Sequence, residues 1–150
     1  MSEPTDLEKM RAFVESYPNF AELGGLAIDY ADRVPGAASL FPGGLVERRR
    51  RTDLLGNVTV ENQYNFALYA VLGKAPGDDV GATANAELVA DFQRWVQAQS
   101  VQGLAPTFGD EPRTERMTAQ SGAIYSASDE GTAVYAIQLA ATFIKRFVRG

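Results

Sequence analysis

The chain predicts an α+β fold: a mostly antiparallel sheet of two long hairpins, with helices packed on one face. Three observations predict it. The run from Thr132 to Val148 alternates apolar and polar residues with period two, as a strand with one buried face does. The run from Arg113 to Tyr125 precedes it across Ser128-Asp129-Glu130-Gly131, which makes a hairpin. A second hairpin pairs Leu45 to Asp53 with Val58 to Leu72 around Leu54-Leu55-Gly56-Asn57. Typical strands hold about 5–6 residues, and the run from Thr132 is roughly three times as long. Such a ribbon exceeds what one small core needs, so it points to assembly more than to catalysis.

The elements follow in order. Thr5-Asp6-Leu7-Glu8 has the spacing of a capping box, and Leu7, Met10, Phe13, Val14 and Tyr17 then recur at helical spacing. This helix is expected to end near Tyr17-Pro18. Leu26 to Tyr30 reads as a short strand between Gly24-Gly25 and Pro35-Gly36, and Val34 to Leu45 as a packed surface loop rich in Pro and Gly. On the Val58 strand, Val58, Val60, Tyr64, Phe66, Leu68, Ala70 and Leu72 share one face. Thr59, Glu61, Gln63 and Asn65 share the other, which turns apolar at Ala67, Tyr69 and Val71. Lys74 to Gly81 reads as a turn-rich linker. A second helix spans about Thr83 to Gln102, with Leu88, Phe92, Trp95, Val96 and Gln99 on one face and Gly103 as its stop. Tyr135, Ile137, Leu139, Ala141, Phe143 and Phe147 of the last strand point one way, and Gln138, Thr142 and Arg146 the other. The apolar set is expected to pack on the Leu88-Phe92-Trp95 helix.

Composition bounds the function. At 150 residues the chain is expected to form a single domain, residues 1–150. Its net charge of −5 argues against whole-protein attraction to DNA or an anionic membrane. Cysteine and histidine are both absent. That excludes disulfides, thiolate chemistry, a Ser-His-Asp triad and His-ligated zinc. No catalytic residue, metal ligand or cofactor site is expected. The first residues lack a basic start and an apolar stretch, so a soluble chain made in the cytoplasm is expected.

Two features carry the candidate site. Arg48-Arg49-Arg50-Arg51 is the one strong charge cluster. On a regular strand Arg48 and Arg50 face opposite to Arg49 and Arg51, so the run makes no single flat patch. Either it is a solvated edge strand kept soluble by charge, or one pair meets acidic groups of a neighbouring subunit or a phosphate. Glu61, Gln63, Gln138 and Thr142 lie on the polar faces of the long strands. The acidic pairs Asp78-Asp79, Asp110-Glu111 and Asp129-Glu130 read as solvated turn acids. No phosphate-binding glycine loop occurs.

A set of segments then resembles a known family. It comprises Leu26-Ala27-Ile28-Asp29-Tyr30, Gln63-Tyr64-Asn65-Phe66, Phe92-Gln93-Arg94-Trp95-Val96 with Gln99, Gly103-Leu104-Ala105-Pro106 and Ala133-Val134-Tyr135-Ala136-Ile137. From Leu7 to Phe147 the chain resembles the small tail terminator proteins of long-tailed phages and prophages, often labelled minor capsid proteins. The Arg48 to Arg51 run and the Val34 to Gly44 segment are not required features of that family. The resemblance implies a structural late protein, not an enzyme. It implies a closed ring, usually of six subunits, on the head-proximal end of the tail tube. Such a ring is assembled in the host cytoplasm and belongs to the virion. Its partners are copies of itself, the major tail tube protein and the neck or stopper protein, with no membrane involved. DNA passes through the lumen without specific binding. On that reading Arg48, Arg49, Arg50, Arg51, Glu61, Gln63, Asp129, Glu130, Gln138 and Thr142 are the interface candidates. Two alternatives remain: another neck or tube component of the same machine, and a small-ligand-binding α+β domain.

Overall fold

Two sixteen-residue strands lie side by side at the centre of the sheet and fix everything else. The computed structural model describes residues 4–18, 26–28, 38–73, 79–127 and 132–149. Helix α1 spans Asp6–Glu15, followed by strands β1 (Leu26–Ile28), β2 (Ala38–Thr52) and β3 (Val58–Gly73). Helix α2 (Asp79–Val101), a short 3₁₀ turn at Pro112–Thr114, and strands β4 (Arg116–Ala127) and β5 (Thr132–Phe147) complete the chain. The sheet order is β1-β2-β3-β5-β4. β3 and β5 pair antiparallel without a shift from Val58↔Phe147 to Gly73↔Thr132. β2 pairs antiparallel with β3, and β4 with β5, as the two predicted hairpins require. The turn Ser128 to Gly131 lies outside the described residues, as do Asp29 and Tyr30.

Helix α1 carries the predicted capping box. The Thr5 hydroxyl accepts the Glu8 N–H at 3.2 Å, and the Glu8 carboxylate accepts the Thr5 N–H at 3.4 Å. The helix stops at Glu15, just short of the expected end, yet Tyr17 remains buried beyond it. Its inner face of Met10, Phe13 and Val14 meets α2, where Phe13 stacks on Trp95 at 4.8 Å between ring centres and Tyr17 meets Phe92 edge-on at 5.1 Å. These pairs add to the area they bury. Both helices cover one face of the sheet. Phe66, Leu68 and Leu72 of β3 and Tyr135, Ile137, Leu139 and Phe143 of β5 pack there with Phe92 and Val96, as the alternation predicts. Phe147 keeps that face, in register with Val58, but is 55% exposed at the far end of β5. On the opposite face the predicted apolar end of β3 is present, with Val71 and Val134 buried and Phe41 edge-on to Tyr69 at 5.3 Å.

Three boundaries differ from expectation. β2 begins at Ala38 rather than Leu45. Ala38, Ser39 and Leu40 are buried and pair with both β1 and β3, and this burial overrides the loop-like composition. Pro42-Gly43-Gly44 marks a register shift inside the strand rather than a break. Gly44 has φ +89°, and a side chain at Gly43 would sit 3.0 Å from the Asn65 carbonyl oxygen. Helix α2 begins at Asp79, inside the expected linker. β4 begins at Arg116, because Pro112–Thr114 turns instead. There the Glu115 carboxylate accepts the Phe108 and Gly109 N–H groups at 2.7 and 3.1 Å. No helix among the described residues is long and apolar enough to cross a membrane.

Past Arg116 the β5 edge is covered by the loop before β4. Asp110 N–H donates to the Ile144 carbonyl at 2.7 Å, and the Asp110 carboxylate accepts the Arg146 N–H at 2.8 Å. Glu111 pairs with the Arg146 guanidinium. Asp110 and Glu111 are therefore structural partners of β5, not merely solvated turn acids. A side chain at Gly109 would lie 2.4 Å from the Ile144 carbonyl oxygen. Gly109→Ala is accordingly expected to cost about 2 kcal/mol, read as a lower midpoint in thermal or urea unfolding.

Helix α1 is tied to the sheet by Tyr64, whose hydroxyl donates to the Asp6 carboxylate at 2.6 Å. That hydrogen bond, with burial and the nearby negative charge, pushes the Tyr64 phenol up to about 12. Its contribution to stability is complete below the ordinary tyrosine pKa of about 10 and is lost as pH rises through the folded value. An absorbance titration is expected to show a tyrosinate transition near pH 12. Tyr64→Phe should abolish it; a wild-type titration complete by about pH 10.5 would contradict the assignment.

Candidate functional site: the polar face of the sheet

The face away from the helices is built by strand alternation. Residues directly opposite in neighbouring strands share a face, so the register defines rungs across it. One rung runs Val46, Gln63, Thr142, Arg116, and the next Gly44, Asn65, Ala140, Thr118. A third runs Ala67, Gln138, Gln120. The predicted candidates Gln63, Gln138 and Thr142 thus stand on one surface, and Glu61 joins them through its pairing with Arg49. Sequence reasoning missed Arg116, Thr118 and Gln120 of β4. The signal was present: these residues alternate with Met117 and Ala119, which pack toward the helices.

The arginine run behaves differently from a regular strand. Glu47 opposes Asn62 and Arg49 opposes Glu61, so Arg48 is the extra residue of a bulge. The Arg48 guanidinium donates to the Gln63 side-chain oxygen at 3.2 Å, and Gln63 in turn donates to Asn65 at 2.7 Å. Arg48 therefore lies over the polar face. Arg49 and Arg51 share that face through their partners Glu61 and Thr59, while Arg50 stands opposite Val60 on the other side. Arg50 pairs with Glu47 at 2.7 Å across the exposed surface of that side, a contact of small net worth. The expected two-and-two split of the run is corrected to three and one, and the cause is the bulge.

These groups line an open concavity of about 400 Å³ between Arg48, Glu61 and Gln63 on one side and Arg116, Thr118 and Gln120 on the other. Thr142 sits on its floor, where its hydroxyl donates to the Arg116 carbonyl at 3.4 Å. Chemically the surface offers guanidinium, amide and hydroxyl groups with a single carboxylate from Glu61. It suits a polar partner surface that brings acceptors to Arg48 and Arg116. Asp129 and Glu130 lie outside the described residues.

The polar residues are exposed or half-buried, so they are expected to be dispensable for folding. Gln63→Ala and Gln138→Ala should each change stability by less than about 0.5 kcal/mol. Leu139→Ala, directly behind them in the core, should cost about 2–5 kcal/mol. Urea unfolding of the three variants measures the contrast.

No family model and no curated protein matches this chain. Among solved structures, one chain aligns over 98% of this chain and 99% of its own length, at 14% identity and a TM-score of 0.42. A likeness at that level carries no argument about this chain.

Proposed function

We propose that the protein is a ring-forming tail terminator, a structural subunit that caps the head-proximal end of a phage tail tube. The observation that supports this best is the polar face spanned by sixteen-residue strands, which nothing among the described residues covers. A sheet that served only its own core would end where the helices end. Here the β2–β3 arm runs on to carry charged and apolar residues into solvent. The sequence resemblance to tail terminators supports the same reading.

On this reading copies of the chain, six in the family's usual ring, close through a heterologous contact in which one surface meets a different surface of the next copy. The ring covers the growing rim of the tube and offers no tube-protein rim in its place, so polymerisation stops. One rim of the ring rests on the tube protein and the other receives the neck or stopper protein. A mildly acidic chain suits a lumen through which DNA passes without being held. The place of action is the virion, at the joint of tail and neck, and no bond-making step is required.

The test is electron microscopy of the purified protein, alone and mixed with tail tubes. Rings or capped tube ends are expected. Long filaments formed by the protein alone would instead indicate a tube subunit, and a monomer that never binds tube ends would refute the proposal. Arg49→Glu combined with Arg51→Glu is expected to lower the capped fraction about tenfold or more, as reversed charge at an interface does. Unchanged capping by this variant would remove those arginines from the interface.

A further inference from the structure

We infer that the tip of the β2–β3 hairpin is the donor half of a self-association contact, and that it docks on an acidic surface of a second copy of this chain. The inference rests on the ring reading for its partner and adds which part of the subunit reaches across.

Four observations carry it. Of the large hydrophobic side chains exposed among the described residues, only Val101 and Leu104 lie off the β2–β3 hairpin and the end of β5. Leu54, Leu55, Phe147 and Val148 lie at the tip or at the end of β5 beside it, while Leu45 and Val46 stand farther back along β2, opposite Tyr64 and Gln63. Leu54 and Leu55 are 105% and 82% exposed. Apolar side chains gathered at one end of a soluble domain mark a contact surface.

The tip is ordered in advance. The Asp53 carboxylate accepts the Leu55 and Asn57 N–H groups at 2.8 and 2.9 Å, and Asp53 N–H donates to the Asn57 carbonyl at 2.9 Å. Gly56 supplies the left-handed corner with φ +85°. The Asn57 side chain accepts the Arg149 N–H at 3.1 Å, which fastens the end of the chain to the turn. A turn so held presents its two leucines with little ordering cost on binding.

Charge names the occupant. Residues 45–61 and 143–150 hold seven of the fourteen Lys and Arg residues but only three of the nineteen acids. The rest of the chain holds seven basic and sixteen acidic residues. Asp110 and Glu111 stand beside Arg146. With them the arm end holds seven basic and five acidic residues and the remainder seven and fourteen, so two copies attract head to tail and repel tip to tip.

The β4 edge near α2 and the β2 edge argue against the simplest rival, a sheet continued from copy to copy. Helix α2 reaches over the β4 edge, where the Ser100 hydroxyl accepts the Met117 N–H at 2.9 Å and the Gln93 amide donates to the Ala119 carbonyl at 3.2 Å. Pro42, two bulges and four arginines blunt the β2 edge.

The test uses the full-length protein with Leu54→Asp and Leu55→Asp together, both at exposed positions. Assembly is followed by mass photometry or sedimentation across protein concentration and salt, with circular dichroism to verify the fold. The double variant is expected to self-associate about a hundredfold more weakly at unchanged melting temperature. Added salt should weaken wild-type association, because the ends are oppositely charged. The variant keeps its acceptor surface. Mixed with wild type, it should accept an arm while offering none, and the mean mass of the assemblies should fall. Variant assemblies of unchanged mass would overturn the arm contact while leaving the ring reading in place. A wild-type protein that stays monomeric at every concentration and does not assemble on tube ends would overturn both.

Discussion

The unbroken pairing of β3 with β5 is the constraint on which the rest depends. Because it runs sixteen residues without a shift, a slip of one residue would put the core set of one strand on the same face as the polar set of the other. Either Phe66 and Leu68, or Tyr135, Ile137 and Leu139, would leave the helices. The two outer hairpin strands tolerate irregularity that the central pair does not. β2 carries two shifts and β4 carries two more, while β3 and β5 keep their register to each other. The sheet is thus rigid along its middle and adjustable along its sides.

Much of this was legible in the sequence, because alternation and helical spacing report burial directly. The Leu139 to Phe143 stretch, the capping box at Thr5 and the Phe92-Trp95-Val96 stripe each found the predicted place. What escaped depends on contacts distant in sequence. Ala38 to Leu40 became strand because β1 and β3 flank it, which no local window encodes. Asp110 and Glu111 resembled ordinary turn acids until β5 supplied Arg146. Of the polar face, the β3 and β5 residues could be read from their strands. The β4 half alternates as plainly at Arg116, Thr118 and Gln120, but the turn at Pro112–Thr114 conceals where that strand begins.

Helix and strand divide the work differently from what a two-layer fold usually needs. The helices shield one face and, through Ser100 and Gln93, one edge. Nothing comparable covers the polar face or the arm among the described residues. Stability is concentrated under α1 and α2, and the polar face lies where substitution costs the core little. Changes on that face can therefore accumulate without unfolding the domain.

The bulge at Arg48 has an evolutionary consequence. Glu47 and Arg49 sit opposite consecutive residues of β3, so the strand carries one residue more than its partner needs. Deleting that residue would leave both flanking registers intact and restore an ordinary ladder. A single-residue insertion or deletion here changes how many arginines face the concavity without disturbing a core position. The segment is a place where descent can retune surface charge by length instead of by substitution, a freedom denied to β3 and β5.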